Sequence, residues 1–168
     1  VDFKIGERVV YPNHGIGIIN KIEEKRINGM TSNFYCLKIL SNDTTVLIPM
    51  ENVGCVGLRK VIPRKHVKQL LERLEAGHVR TTANWKGRFK ENSDKMRSGC
   101  IFEVADVLKS LFVISHTKSL SYREKRMLDK AKQLIISEIA EAKRTNPKKV
   151  EDVIEKALLA SIRSKVDH

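Results

Sequence analysis

The spacing of apolar residues changes once along this chain, near residue 62, and that change limits the fold more than any other feature. Before it, apolar side chains alternate in short runs broken by turn residues, the period-2 signature of half-buried strands. Glu7 to Tyr11 ends at the turn cluster Pro12-Asn13-His14-Gly15, and Ile16 to Lys25 follows. Asn28-Gly29 readily supplies the two φ > 0 positions of a type I′ hairpin, which pairs Ile16 to Lys25 antiparallel with Ser32 to Leu40. Asn42-Asp43 turns the chain again, and Thr44 to Ile48 and Cys55 to Arg59 complete five strands. Pro49, with no N–H to give to a ladder, belongs at an edge or a strand end. Five short strands of this kind predict a small, strongly bent SH3-like or Tudor-like antiparallel β-barrel.

After Val61-Ile62-Pro63 the apolar period becomes about 3.6. Val67, Leu70, Leu71 and Leu74 form one helical stripe between Pro63 and Gly77, a residue suited to the position just past a helix end. Ile101, Val104, Ala105, Leu108, Leu111 and Phe112 repeat the stripe with a wider face, as a core helix requires. Ser121-Tyr122-Arg123-Glu124 has capping-box spacing and opens a long helix facing inward through Leu128, Ala131, Ile135 and Ile139. Asn146-Pro147 starts a last helix, buried through Val150, Ile154, Ala157, Leu158 and Ile162. The expected fold class is therefore α+β in two domains: residues 1–62 as the five-stranded barrel and residues 63–168 as an all-α bundle of about five helices.

Charge separates the two parts. Residues 1–60 hold 8 basic and 6 acidic side chains, net +2, while residues 61–168 hold 24 and 14, net +10. The helical part is thus the candidate for binding a polyanion. Within it, the segment from Asn84 to Ser98 is exceptional. Asn84 is a good N-cap, but the only large apolar residues are Trp85, Phe89 and Met96, a stripe too thin for a well-buried helix. Around it, over residues 80–97, Arg80, Lys86, Arg88, Lys90, Lys95 and Arg97 outnumber Glu91 and Asp94. Two readings of Trp85, the only tryptophan, remain open. Its ring packs on Phe89 in a minor core, or it meets DNA, where a helix N-terminus and flanking cations attract phosphate and a flat apolar ring inserts at a base step. A second basic cluster, Lys118, Arg123, Lys125, Arg126, Lys130 and Lys132, lies on the long helix. It reads either as a solvated face or as an extension of the same field.

Other functions lack their signatures. No phosphate-binding glycine loop, nucleophile elbow or H-E-x-x-H motif occurs, so no catalytic role is expected. The Cys36, Cys55 and Cys100 thiols form no C-x-x-C pair and are expected as reduced core residues. The five histidines lack metal spacing, so neither metal nor cofactor is expected. With no long apolar run and no signal-like start, the chain reads as cytoplasmic, without a membrane role.

Four blocks, in this order, carry a family resemblance: Gly6-Glu7-Arg8-Val9-Val10-Tyr11-Pro12-Asn13-His14-Gly15; Ile48-Pro49-Met50-Glu51-Asn52 with Val56-Gly57-Leu58-Arg59; Asn84-Trp85-Lys86-Gly87-Arg88-Phe89-Lys90; and Leu120 to Leu128 on the long capped helix. Together they resemble the CarD/CdnL family of bacterial RNA-polymerase-binding transcription regulators, over nearly the whole chain. The resemblance implies a Tudor-like N-terminal domain, of a type shared with the transcription-repair coupling factor, that binds the RNA polymerase β subunit. It also implies a helical domain that contacts promoter DNA at the upstream edge of the bubble and stabilises the open complex, the protein acting as a monomer. By position, Trp85 matches the family's minor-groove wedge, with Asn84, Lys86, Arg88 and Lys90 beside the DNA. Lys125 and Arg126 of the second cluster join that candidate set. Lys25, Arg26, Ile27, Leu47 and Pro49 fall on the polymerase side. Gly87 and Leu47 stand where relatives carry basic residues. The competing expectation is a protein-only adaptor or RNA-binding module that does not touch promoter DNA.

Overall fold

Asn28 and Gly29 both take positive φ, 51° and 79°, and join two strands through a two-residue loop in which Ile27 faces Met30. Few other dipeptides adopt that geometry without strain. Around this hairpin the computed structural model, which describes residues 2–76 and 85–166 apart from the side chains of 85, 86 and 164–166, builds a five-stranded antiparallel sheet. Its strands are β1 (Arg8–Tyr11), β2 (Gly15–Ile27), β3 (Met30–Ile39), β4 (Thr45–Pro49) and β5 (Arg59–Lys60), in the order β4-β3-β2-β1-β5. The β2–β3 register shifts between Ile19 and Lys21, a bulge that bends the long hairpin. At Gly17 the backbone passes so close to the Leu37 side chain that a Cβ there would stand 2.7 Å from Leu37 Cδ1. Val9, Ile19, Tyr35, Leu37, Ile39 and Ile48 form the core of this unit, together with Phe3. Pro49 ends the edge strand β4, where its missing N–H breaks no ladder.

The fifth strand differs from expectation. Cys55 lies not in a strand but in a helical turn, α1 (Val53–Val56), which Gly57 ends in the left-handed conformation at φ 74°. Only Arg59 and Lys60 then pair, with Val10 and Val9. The alternation from Cys55 to Arg59 includes Gly57, and a left-handed glycine breaks an extended run. No β4–β5 ladder occurs among the described residues.

The chain divides into two compact units, Val1–Val61 and Ile62–His168. The second is helical: α2 (Val67–Glu75), α3 (Trp85–Arg97), α4 (Ile101–Ser115), α5 (Tyr122–Lys143) and α6 (Pro147–Val166). The protein is thus a two-domain α+β chain. Capping places the long helices as their sequences predict. Ser121 Oγ accepts from the Glu124 N–H at 3.2 Å, and Asn146 Oδ1 accepts from the Lys148 N–H at 2.8 Å ahead of Pro147. Caps of this kind stabilise by about 1 kcal/mol each. The shared core joins Leu70 and Leu74 to Leu108, Leu111, Ile135, Ile154 and Leu158. Gly77, expected at the end of α2, lies outside the described residues.

Candidate nucleic-acid interface

Helix α3 is held to its unit by a buried strip that is more polar than apolar. Arg88, Asn92 and Met96, spaced by four, are 8%, 5% and 4% exposed, and Phe89 beside them is half-buried. Arg88 reaches the first turn of α5. Its Nε donates to Glu124 Oε2 at 2.9 Å and its Nη2 to Glu124 Oε1 at 3.1 Å. Glu124, 1% exposed, is also the capping-box residue of α5, with Ser121 Oγ 3.4 Å from its Oε1. One flank over, the Arg123 guanidinium stacks 4.6 Å above the Phe89 ring. Two adjacent residues of α3 are therefore clamped to two adjacent residues of α5. The Asn92 amide Nδ2 is buried with no hydrogen-bond partner among the described residues, a cost of about 1–3 kcal/mol. The clamp matters more on a helix so thinly packed.

The environment of Arg88 differs from that of an open, solvent-facing cation. Read by position it is a cation facing DNA; in the structure its guanidinium points inward and is committed to Glu124. A charge that a helix buries is stable only when paired, and Glu124 supplies the fitting bidentate acceptor. Lys90, Lys125 and Arg126 are exposed, as is Arg123, and the Arg126 guanidinium lies 5.8 Å from the centre of the Tyr122 ring, itself 74% exposed. Trp85 is the first residue of α3; its side chain and that of Lys86 lie outside what is described, as do Asn84, Arg80 and the Thr81-Thr82-Ala83 lead-in.

The basic residues predicted as one field separate on structural grounds. Lys95 pairs with Glu91 at 3.6 Å and Arg97 with Asp94 at 2.7 Å, so the far end of α3 neutralises itself. Lys132 is spanned by Glu151 and Glu155 of α6, whose hydrogen bond and charge raise its pKa. Lys118 and Lys130 are exposed. Among the described residues, the basic side chains of this field that stay exposed are Lys90 on α3, Lys118 just before α5, and Arg123, Lys125, Arg126 and Lys130 on α5. The sequence reading missed Glu124 as the partner of Arg88, and Tyr122 as an exposed ring beside the cations. Glu124 was visible only as a capping residue, because a pairing across 36 positions leaves no local pattern.

In the β-unit the ladder sorts the remaining candidates. Leu47 faces Cys36, which faces Lys21; Pro49 faces Phe34, which faces Glu23. Cross-strand partners share a face, so Lys25, Ile27, Leu47 and Pro49 lie on one side of the sheet and Arg26 on the other. Met30, paired with Ile27 and 74% exposed, extends the same side with Ile27 at 53% and Leu47 at 40%, an apolar strip that periodicity did not single out. Lys21 bonds Glu23 at 2.6 Å, which lowers the Glu23 carboxyl pKa and raises that of the Lys21 amine. Cys36, beneath them, is buried, and burial raises its thiol pKa. Cys55 and Cys100 are exposed, contrary to their expected place in the core: one sits on the α1 turn, the other at the start of α4. All three are free thiols.

Among the described residues no cluster of His, Cys, Asp and Glu could hold a metal ion, and no helix is long and apolar enough to cross a membrane. Comparison with known proteins matches residues 3–62 to the CarD-like/TRCF RID domain and residues 69–155 to the CarD C-terminal domain. The Bacillus subtilis (strain 168) protein YdeB, provisionally named a transcription factor, is 34% identical over 148 residues, covering 88% of this chain and 97% of its own. Among solved structures, CdnLNt from Myxococcus xanthus is 42% identical, covering 37% of this chain and 87% of its own, with a TM-score of 0.32.

Proposed function

This chain belongs to the CarD/CdnL family, which regulates transcription through RNA polymerase, and from that premise we propose that its β-unit holds the polymerase β subunit while its helical unit grips promoter DNA at the upstream edge of the bubble. The observation that carries this reading is the clamp of Arg88 on Glu124, which brings the start of α3, with exposed Lys90, beside exposed Lys125 and Arg126 of α5. Cations grouped at two helix starts suit a phosphate backbone. In this arrangement Lys86, Lys90, Lys125 and Arg126 meet phosphates and Asn84 opens the helix toward them. Arg88 sets the pose and leaves the phosphates to its neighbours. Trp85, at the first position of α3, is the wedge. Unstacking a base step costs a few kcal/mol, and least where the duplex is already opening, so the indole acts at the bubble edge and resists rewinding.

The polymerase side rests on Lys25, Ile27, Leu47 and Pro49 along one sheet face, with Arg26 reaching from the opposite face of the same hairpin tip. Holding polymerase raises the effective concentration of the basic unit at the promoter, so DNA affinity on its own need not be high. Residues 1–62 and 63–168 divide these two tasks. The protein performs no catalysis, needs no cofactor and works in the cytoplasm as a monomer on its polymerase.

Trp85→Ala tests the wedge. Polymerase binding is expected to stay at the wild-type level, while open complexes on a promoter that the wild type stabilises lose lifetime. The added protection at the upstream bubble edge in a footprint is expected to disappear with it. An unchanged lifetime rejects the wedge. If the full chain shows no DNA affinity at low salt even with polymerase present, the protein-only adaptor is the right reading.

A further inference from the structure

We propose that Arg64, Lys65 and Lys68, at the entry to α2, hold a second stretch of promoter phosphate backbone, apart from the one at the starts of α3 and α5; this rests on the function proposed above. No Asp or Glu occurs between Glu51 and Glu72, so the chain enters its helical unit through a segment with no acidic side chain. Pro63 leads into a short 3₁₀ turn, Arg64–His66, and α2 follows from Val67. Val67 and Leu70 are buried at 3% and 0% exposure, while Arg64, Lys65 and Lys68 between and before them are exposed.

Two features set this cluster apart from an ordinary solvated face. Among the described residues none of its three cations forms an ion pair, whereas Arg73 pairs with Asp106, Lys95 with Glu91, Arg97 with Asp94 and Lys132 with Glu151 and Glu155. Their position is also the unfavourable one for a cation. The start of a helix is its positive end, where Asp or Glu stabilises and Lys or Arg repels. Helix α2 has no acidic residue in its first turn and no side-chain cap, while α4 has Glu103 and α5 has Ser121 and Glu124 there. Like charges left unpaired repel one another in the free protein, and a bound polyanion relieves that repulsion. Three neighbouring cations open to solvent suit a repeating polyanion, and the promoter duplex is the one the proposed function supplies.

Within the helical unit the cluster lies well away from the clamp of α3 on α5. The Ile62 N–H donates to Glu138 Oε2 at 3.0 Å, which sets the entry to α2 beside the second half of α5. Glu124, which holds Arg88, stands in the first turn of the same helix. The stretch of helix between the two carboxylates is roughly 20 Å long at 1.5 Å per residue. That is about six base pairs of duplex, so the two places meet different phosphates.

The test combines Arg64→Gln, Lys65→Gln and Lys68→Gln in the full chain. Affinity is measured over a range of salt concentrations, for the polymerase–promoter complex and for polymerase without DNA. With the promoter present, the slope of log affinity against log salt is expected to fall by about 2.7, close to 0.9 for each phosphate contact. Without DNA it is expected to match wild type, and Tm is expected to be no lower, because cations leave the positive end of α2. An equal removal of charge at exposed positions of α6, by Lys148→Gln, Lys149→Gln and Lys156→Gln together, is expected to change the slope by less than one contact. The proposal is overturned if the α2 variant's slope falls by less than about 0.9, if the α6 variant's falls as far, if the same loss appears without DNA, or if Tm drops. Lys90→Ala in the same series separates the two ideas. A slope that falls for the α2 variant but not for Lys90→Ala rejects the α3 contact and keeps this one; the reverse rejects this one alone.

Discussion

Removing the Arg88 guanidinium should destabilise the helical unit far more than it weakens DNA binding. Arg88 and Glu124 side chains are 9% and 1% exposed, and their two hydrogen bonds measure 2.9 and 3.1 Å. Arg88→Met leaves the Glu124 carboxyl buried without that cation, a loss of about 3–5 kcal/mol for a broken buried pair. Ser121 Oγ at 3.4 Å still faces the carboxyl, which favours the lower figure. At about 3 kcal/mol, and ~4–8 °C per kcal/mol for a domain near this size, Tm falls by roughly 12–24 °C. Adding Glu124→Leu removes the buried carboxyl, and the apolar pair is expected to return to within about 1 kcal/mol of wild type. Urea unfolding of the full chain, followed by helical circular dichroism, measures both. A single-variant loss below about 1 kcal/mol, or a double-variant loss equal to the sum of the singles, refutes the buried-pair argument. DNA binding supplies the second arm. The slope of log affinity against log salt should survive the double substitution but fall by about 0.9 for Lys90→Ala, one phosphate contact. Equal losses would return Arg88 to the phosphate-facing set.

Two further outcomes follow from buried geometry. Lys109, 5% exposed, donates from Nζ to Arg73 O at 2.8 Å in the last turn of α2, beside Asp106 and the Arg73 guanidinium; burial lowers its pKa. Between that lowered value and the ordinary 10.5, the unfolded chain keeps a proton that the folded one has released, so this residue's contribution to stability rises with pH across that window. The stability of wild type minus that of Lys109→Met, from urea unfolding at stepped pH, should grow toward 10.5; a flat or falling difference contradicts the burial. Gly17→Ala brings a Cβ to 2.7 Å from Leu37 Cδ1, and Leu37 is fully buried. Overpacking of this kind costs about 1–3 kcal/mol, and an unchanged urea midpoint for the β-unit would show that Leu37 can yield.

Much of this protein is legible along its sequence because its signals are local. Alternation and Asn28-Gly29 specify the β2–β3 hairpin, and Ser121 with Glu124 and Asn146 with Pro147 specify where two helices begin. The stripe from Val67 to Leu74 specifies a buried face. Each works within a few residues, through backbone sterics, capping or one helical turn. The basic excess and the thin apolar pattern of residues 84–98 are equally local, and they singled out the candidate interface. Tertiary structure decided which charges face outward. Arg88 and Lys90 have similar charge and neighbouring places in one motif, yet one is buried on Glu124 and the other exposed, because only packing α3 against its unit determines which side of the helix turns in. The same holds for Lys95, Arg97 and Lys132, whose partners neutralise them, and for Cys55, where Gly57 ended a turn that alternation read as a strand. Glu138 is the extreme case. Nothing near it in sequence suggests a buried acceptor, since the N–H it holds lies 76 residues away and meets it only when the helices close around a common core.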